Sequence, residues 1–384
     1  MREFDEIRPY NDCEVPEVIG RMIADNELID LLLEDLFSGA GKLLYPWLRP
    51  LLRARLRYTS RKIVTVDMLQ QHLATRLKTI LDQTTDGYSF SGLSGIENDK
   101  SYVFMSNHRD IALDPAITVL GLVESGRDSL RIAIGDNLLS KPFASDLMRI
   151  NRSFIVKRSV VARREKLKAL KILSNYIRQS VCNEGISIWI AQAEGRAKDG
   201  KDRTETALLK MLALSRSKDQ DFSSAINELN IVPVSISYEY DPCDADKARE
   251  LYIAKTGNFY VKTAFEDLET IKKGFIGYKG RVHVHYGSPC KIANIGAENL
   301  AADIDDQIFC GYRLFPSNIV AWQMLYDSLD VTELKHCWPD EDWFVAHAKF
   351  EKRIEALPEK HRDIVVQAYA SPVTDQLSSS HHRA

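Results

Sequence analysis

A histidine stands close to two aspartates in the segment SNHRDIALDPA, residues 106–116. An imidazole held by a carboxylate can act as a general base on a hydroxyl group, because the acid fixes the tautomer and stabilises the imidazolium. His108 is therefore the candidate base. Its partner acid is either Asp114, six residues along the chain, or Asp110, two residues along.

Basic residues follow two other apolar runs. Lys157 and Arg158 come directly after FIV, and Arg196 and Lys198 lie in the segment AEGRAK. Such cations after strand ends are suited to holding a phosphate. Glu194-Gly195 marks a tight loop where backbone amides can approach a ligand. A base, an acid and a phosphate clamp, without a nucleophile motif, indicate direct transfer to a bound phosphorylated alcohol.

Several other motif matches are excluded. His108-Arg109-Asp110 copies the start of a kinase catalytic loop, but Pro115 stands where that loop needs Asn, and DFG and GxGxxG are absent. GAGK, residues 39–42, is followed by Leu43 where a phosphate loop needs Ser or Thr. Neither GxSxG nor HExxH occurs. The two histidines of VHVHY share a strand face but have no third ligand in view, so we expect no metal site.

The elements that must position these residues alternate between short apolar runs and helical stretches, of which Arg163 to Val181 is the clearest helix. This alternation predicts an α/β sheet that is largely parallel, with the ligand beyond the carboxyl ends of the strands. The strand candidates are Tyr102–Met105, Leu130–Ile134, Phe154–Val156, Ile186–Ile190, Ile231–Ser237 and Val282–Tyr286.

We therefore predict an α/β fold whose mixed, largely parallel sheet is flanked by helices. The predicted regions are a helical N-terminal region over 1–90, an α/β domain over 91–292 and a helical C-terminal extension over 293–384. Within the first region, residues 18–90 carry the helical pattern. The tail SSSHHRA is expected to be disordered.

Composition narrows the class of protein. The chain has 384 residues, 45% hydrophobic and 27% charged, and its 51 basic and 54 acidic residues give a net charge of −3. Because nucleic-acid binders carry a strong basic excess, none is expected as a partner. The six cysteines are scattered without a CxxC pair, which favours free thiols in a reducing cytoplasm. The N-terminus is not a signal peptide, and no apolar run reaches the roughly 18 residues of a spanning helix.

The window 41–62 carries seven basic residues and no acidic one, among six leucines and Trp47. Such an amphipathic stretch can lie in an anionic membrane interface. The alternative is a helix that packs its leucines on the core and exposes its arginines.

Four segments in order resemble the four sequence blocks of the glycerolipid acyltransferase superfamily, which includes glycerol-3-phosphate and 1-acylglycerol-3-phosphate acyltransferases. The first block there reads NHxxxxD, whereas five residues separate His108 from Asp114 here. The other three are similar to Phe154–Arg158, Glu194–Arg196 and Val232–Val234. The third lacks one residue between its Gly and Arg. The resemblance covers about residues 106–240 and favours Asp114 as the partner of His108.

The resemblance implies a phospholipid-biosynthetic O-acyltransferase. His108 would take the proton of an acceptor hydroxyl, which attacks the thioester of acyl-CoA or acyl-carrier protein, while Asp114 orients the imidazole. It implies no metal or cofactor. The residues that it places at the acceptor phosphate are Lys157, Arg158, Arg196 and Lys198. The residues that it gives a supporting role are Asn107, Asp110, Glu194 and Gly195.

The acceptor is either glycerol 3-phosphate or its monoacylated form, and the second and fourth segments favour the former. We expect a cytoplasmic protein peripheral to the inner face of the membrane. The alternative function is a peripheral membrane or acyl-carrier-binding protein that keeps the fold without turnover.

Overall fold

The computed structural model describes residues 3–36, 44–139, 141–263, 265–326 and 331–381. The chain forms two compact units. The first unit comprises Met1–Arg76 and Leu130–Tyr176, and the second unit comprises Leu77–Ser129 and Ile177–Ala384. These boundaries differ from the three regions of the sequence pattern, whose status as domains stays a prediction.

The regular elements of the described ranges are seven strands and sixteen α-helices, with a few short 3-10 and π turns between them. The strands are β1 Tyr88–Ser91, β2 Val103–Ser106, β3 Arg131–Gly135, β4 Ser153–Val156, β5 Ile188–Ala191, β6 Ile231–Tyr238 and β7 Val282–Tyr286. The helices are α1 Val15–Ala24, α2 Asn26–Leu36, α3 Tyr45–Ser60, α4 Val66–Thr84, α5 Leu113–Glu124, α6 Pro142–Ile150, α7 Arg163–Arg178, α8 Thr206–Leu212, α9 Phe222–Asn227, α10 Asp244–Lys255, α11 Glu266–Ile276, α12 Ala297–Gly311, α13 Pro316–Leu325, α14 Thr332–His336, α15 Trp343–Glu355 and α16 Glu359–His381.

The second unit is built on five strands in the order β1-β7-β6-β2-β5. Every pair in this row is parallel except β6 with β7, which is antiparallel. All residues of β2 and β6 are buried, as expected for strands of a sheet covered on both faces. In the first unit β3 and β4 form a parallel pair. The predicted α/β class, mixed and largely parallel with flanking helices, is confirmed.

Each of the six predicted strands is present to within two residues at either end. One strand, β1, begins within the stretch 18–90 that the sequence pattern predicts to be helical, so that prediction is wrong over residues 88–90. The sequence pattern misses β1 because it is a short strand at the edge of the row. Its four residues, YSFS, alternate serine with aromatic residues and so form no apolar run.

The apolar residues of α3 divide between two environments. One set packs with Ile29 and Leu33 of α2 in a small core of the first unit; this set is Tyr45, Leu48, Leu52 and Leu56. Another set, with Leu44 just before the helix, is exposed over half or more of its surface; within α3 this set is Trp47, Leu51 and Tyr58. Lys42 and Leu43 of the basic window lie outside the described residues.

The C-terminal helices of the second unit share a core formed mainly by α13, α15 and α16. Part of the tail that the sequence predicts to be disordered continues α16 as far as His381. Ser378 donates to the carbonyl of Thr374, and the buried Ser379 hydroxyl donates to Asp306 of α12 at 3.2 Å. These contacts explain the added helical turn; residues 382–384 lie outside the described ranges.

Within the described ranges, no helix combines the length and the hydropathy that crossing a bilayer requires.

Candidate active site

The loop between β2 and α5 holds the candidate base against its acid. His108 Nδ1 lies 2.9 Å from Asp114 Oδ2. Asp114 is the second residue of α5, and the loop from Asn107 to Ala112 is not helical, so the six-residue spacing does not rotate the two side chains apart. Of the two acids left open by the sequence, Asp114 contacts His108 in the structure.

The Asp114 carboxylate is fully buried and accepts four hydrogen bonds. Besides His108, the backbone amides of Arg109 and Asp110 donate to Oδ2 at 2.6 and 2.8 Å, because the loop wraps around the carboxylate. Tyr238 at the end of β6 donates its hydroxyl to Oδ1 at 2.8 Å. Burial, and next the charge of Asp114, raise the pKa of Tyr238 well above its usual value, so the phenol stays a donor.

The second ring nitrogen of His108 is available for chemistry. With Nδ1 donating to the Asp114 carboxylate, the neutral imidazole carries its lone pair on Nε2. No side chain or backbone group of the described residues bonds Nε2, and the ring retains 16% of its exposed surface. Trp189 of β5 packs against the ring in a T-shaped arrangement, with the ring centroids 5.8 Å apart. An oriented imidazole with an accessible Nε2 has the geometry of a general base.

Asn107 extends the sheet with its side chain. The buried amide accepts from Ile236 N at 2.8 Å and donates to Ile236 O at 3.0 Å, as a strand residue of β2 would. Residue 107 is thereby fixed to β6 just before the chain turns. Asn107 therefore fixes the position of the residue next to His108, and its supporting role in the reaction stays a prediction.

The segment that contains Glu194 to Lys198 contacts the same loop. The amide of Ala197 donates to the carbonyl of His108 at 2.8 Å. Gly195 has a φ of +85°, in the left-handed region that favours glycine. Arg196 is half-buried, lies in the field of Asp241, and makes no hydrogen bond or ion pair with a described residue. Lys198, by contrast, is ion-paired with Glu250 of α10.

Arg109 and Asp202 form a buried ion pair that sequence reasoning missed. Arg109 Nη2 donates to Asp202 Oδ2 at 2.6 Å and to Gly200 O at 3.1 Å. Asn107 also donates to this carboxylate, at 3.2 Å. Burial raises the pKa of Asp202, against the opposing charge of Arg109. The pair joins the loop that holds His108 to Gly200 and Asp202, which follow Arg196 in the chain. The sequence gives only a weak indication of this pair. Arg109 stands beside the candidate base, but we considered it only as part of the excluded kinase motif.

Asp110 bonds to the backbone of the loop that holds His108. Its Oδ1 accepts from the amides of Ala112 and Leu113, at the start of α5. Gly274 of α11 approaches so closely that an added Cβ would lie 2.0 Å from Asp110 Oδ2. Burial, and next the charge of Asp114, raise the pKa of Asp110. Asp110 therefore shapes the loop but does not contact His108.

Lys157 and Arg158 belong to the first unit, whereas His108 belongs to the second unit. Lys157 is ion-paired with Glu6. The amide of Arg158 donates to Asp136 Oδ1 at 3.0 Å, so an acid at the end of β3 fixes the turn after β4. Sequence reasoning did not single out Asp136. The predicted role of the two cations at an acceptor phosphate stays a prediction.

The histidines of β7 contact serines of β1. His283 lies 2.8 Å from the Ser89 hydroxyl and 2.9 Å from that of Ser91, and His285 Nδ1 lies 2.8 Å from Ser91. Burial, and next the charge of Arg313, lower the pKa of His283 to about 4. The described residues contain no group of three His, Cys, Asp or Glu side chains arranged to hold a metal ion.

The site therefore consists of a histidine oriented by a buried carboxylate at the strand ends of an α/β sheet. Residues 88–237 match the family model named Acyltransferase. This match spans β1 through nearly all of β6 and includes both His108 and Asp114. Residues 88–237 therefore form a domain of the Acyltransferase family, and the resemblance to the glycerolipid acyltransferase superfamily is confirmed.

Among solved structures the chain is similar to a 1-acyl-sn-glycerophosphate (LPA) acyltransferase, PlsC, from Thermotoga maritima. The two share 17% identity over 66% of this chain and 79% of that chain, with a TM-score of 0.35. A likeness of that size carries no argument about activity. No curated protein matches the sequence.

The Arg109–Asp202 pair yields a stability prediction. We expect Arg109→Met to lower the free energy of unfolding by about 3–5 kcal/mol, because it leaves Asp202 buried without its cation. The double variant Arg109→Met/Asp202→Leu should recover much of this loss, since both charges are then gone. Urea denaturation measures both values, with the exposed Lys201→Met on the same segment as the control. A single variant as stable as the wild type would contradict the assignment.

Proposed function

We propose that the protein is a glycerolipid O-acyltransferase in which His108 is the general base. The observation that carries this proposal is the His108–Asp114 pair, with Nδ1 engaged at 2.9 Å and Nε2 accessible. The match of residues 88–237 to the Acyltransferase model supports the reaction type.

The proposed reaction is a single transfer. Nε2 of His108 takes the proton of the acceptor hydroxyl as that oxygen attacks the thioester carbonyl of the donor. The carbon–sulfur bond then breaks, the acyl group remains on the acceptor as an ester, and the departing thiolate takes the proton from His108. Asp114 keeps its charge and stabilises the imidazolium between the two proton transfers.

We assign Arg196 to the phosphate of the acceptor. Two features support the assignment: its segment is bonded to the carbonyl of His108, and its guanidinium has no ion-pair partner among the described residues. A guanidinium offers a fork of donors that suits phosphate oxygens. Lys198 would have to leave Glu250 before it could join Arg196.

Glycerol 3-phosphate is the acceptor that we propose first, because the second and fourth segments resemble those of the enzymes that use it; these are Phe154–Arg158 and Val232–Val234 with the following Tyr238-Glu239. Its monoacylated form, lysophosphatidate, is the second candidate. Product analysis separates the two, since the first acceptor yields lysophosphatidate and the second yields phosphatidate.

We further propose that α3 brings the enzyme to an anionic bilayer. Trp47 is 78% exposed and Leu51 is 67% exposed on a helix whose other leucines are in the core. Arg55, Arg57 and Lys62 are exposed as well, and the whole window 41–62 lacks an acidic residue. Exposed tryptophan and leucine beside cations are what an anionic interface binds.

Acyl transfer by the purified protein tests the reaction. We expect labelled oleoyl thioester to label lysophosphatidate when glycerol 3-phosphate is offered. His108→Ala should lower kcat by about 10²–10⁴-fold, the usual share of a general base. The variant must keep the wild-type circular dichroism and thermal midpoint. No product with either acceptor, from CoA or carrier-protein donors, would leave the alternative of a non-catalytic membrane or carrier-binding protein.

Arg196→Ala should act on acceptor binding. Loss of a charge-assisted contact to phosphate predicts a KM for the acceptor about tenfold higher or more, with a smaller change in the KM for the thioester donor. The matched control is Lys201→Ala, an exposed cation on the same segment. Equal effects on acceptor and donor KM values would refute the assignment.

The double variant Trp47→Ser/Leu51→Ser should weaken binding to vesicles that contain anionic phospholipid. We expect about tenfold weaker binding in co-sedimentation, since the two substitutions remove most of the exposed apolar surface of α3. Leu167→Ser in α7 is the control, because it removes an exposed leucine from a helix without exposed tryptophan. Unchanged binding would show that α3 does not meet the bilayer.

A further inference from the structure

Tyr238, the last residue of β6, is held at a fixed position with its phenol in the interior. It is only 6% exposed. Both of its neighbours are bonded to the surrounding chain: the Ser237 hydroxyl accepts from the amide of Arg313 at 2.9 Å, and the Glu239 carboxylate accepts from the amide of Arg281 at 2.9 Å. The end of β6 therefore sets where the phenol lies.

This phenol is the single donor to one of the two oxygens of Asp114. Oδ2 accepts three hydrogen bonds, from His108 and from the amides of Arg109 and Asp110. Oδ1 accepts from the Tyr238 hydroxyl at 2.8 Å and from no other described residue. The carboxylate is fully buried, so Oδ1 would have no partner without the phenol. A buried carboxylate that loses a donor binds a proton more readily.

A neutral donor suits this position better than a cation would. In the proposed reaction Asp114 must keep its charge in order to stabilise the imidazolium. A cation on Oδ1 would cancel that charge, whereas a hydroxyl stabilises the carboxylate and leaves its charge in place. Two cations near the pair have other anions as partners: Arg109 is ion-paired with Asp202, and Lys247 is ion-paired with Asp241.

We propose that Tyr238 is a positioning residue of the catalytic base, on which it acts through Asp114. The inference rests on the proposed function, in which His108 takes the proton of the acceptor hydroxyl. By stabilising the charged carboxylate, the phenol lowers the tendency of the His108–Asp114 pair to bind a proton from solvent. Tyr238 makes no bond to His108, so its effect belongs in the pH dependence of the rate rather than in substrate binding.

The test compares two substitutions that each remove one buried hydroxyl. Tyr238→Phe removes the donor to Asp114. The matched control is Tyr286→Phe in β7, where a similarly buried tyrosine donates to the carbonyl of Thr118 at 2.6 Å. The charged groups around Tyr238 and Asp114 are the same in all three proteins; they are Arg109 and Asp110 in the loop after β2, Lys198 after β5, Asp241 after β6, and Asp244 and Lys247 in α10.

The first readout is kcat/KM for one acceptor as a function of pH. We expect Tyr238→Phe to move the acid limb by about one pH unit to higher pH and to lower kcat/KM on that limb by about tenfold, the effect of one lost hydrogen bond to a charged group. The sign follows because a pair that binds a proton at higher pH is inactive as a base up to a higher pH. Above the limb the difference from the wild type should shrink.

Three further kinetic results separate a positioning role from a structural one. The KM values of donor and acceptor should change by less than about twofold in Tyr238→Phe. Tyr286→Phe should leave the acid limb where it is in the wild type. 3-Fluorotyrosine at position 238, whose phenol is a stronger donor, should move the limb to lower pH. A loss of equal size at every pH, or the same shift of the limb in both phenylalanine variants, would overturn the inference.

The second readout needs no turnover. Histidine labelled with carbon-13 at Cε1 is titrated by NMR, and the signal of His108 is assigned by its loss in His108→Ala. We expect its midpoint to lie about one pH unit higher in Tyr238→Phe than in the wild type and to be unchanged in Tyr286→Phe. An unchanged midpoint in Tyr238→Phe would overturn the inference. Absence of turnover in the wild type would reject the proposed function, and the titration would still decide whether Tyr238 acts on the pair.

Discussion

The buried carboxylate of Asp114 is the group on which the geometry of the site depends. It accepts from His108, from two consecutive backbone amides and from Tyr238, and these donors come from a loop and a neighbouring strand. A buried charge without such partners would cost several kcal/mol. The Asp114 side chain therefore fixes the path of the loop after β2, the orientation of the His108 ring and the position of Tyr238 at the end of β6.

The sheet brings these partners within reach of one another. In the register of the sheet Ser106 pairs with Ala191 of β5 and with Val234 of β6, so β2 and β5 end at the same level while β6 continues to Tyr238. Asn107 continues the ladder with its side chain along this extra length. The amide of Ala197, after β5, then bonds the carbonyl of His108. Segments that are far apart in the sequence, after β2, after β5 and at the end of β6, are thus in direct contact around His108.

The Arg109–Asp202 pair has a different physical role. A buried ion pair adds little net stability over an apolar pair, because desolvation offsets the attraction, but it strongly disfavours arrangements in which either charge loses its partner. Here the pair connects the loop that holds His108 with Gly200 and Asp202, which follow Arg196 in the chain. We interpret it as a device that fixes the relation of these two segments rather than as a source of stability.

The sequence predicted the parts of this arrangement that have a local cause. Apolar runs such as Ile231–Ser237 appear as strands because burial selects them, and the order of four short segments was enough to single out His108 as the candidate base. The choice between Asp114 and Asp110 could not be made from spacing, since the irregular turn that brings Asp114 to His108 depends on backbone amides that bond to the carboxylate. Arg109 and Asp202 were missed for a related reason: they are 93 residues apart and neither is unusual in its own segment.

Net charge conceals the contrast between the two basic helices of the first unit. Both α3 and α7 expose several cations, yet the exposed apolar residues of α3 include a tryptophan and a tyrosine, whereas α7 exposes a single leucine. Aromatic rings are stabilised at the boundary between headgroups and acyl chains. Cations with little apolar surface beside them are stabilised mainly by fixed opposite charges. The same sign of charge therefore does not indicate the same surroundings, and the exposed Trp47 supports the proposed bilayer contact for α3 alone.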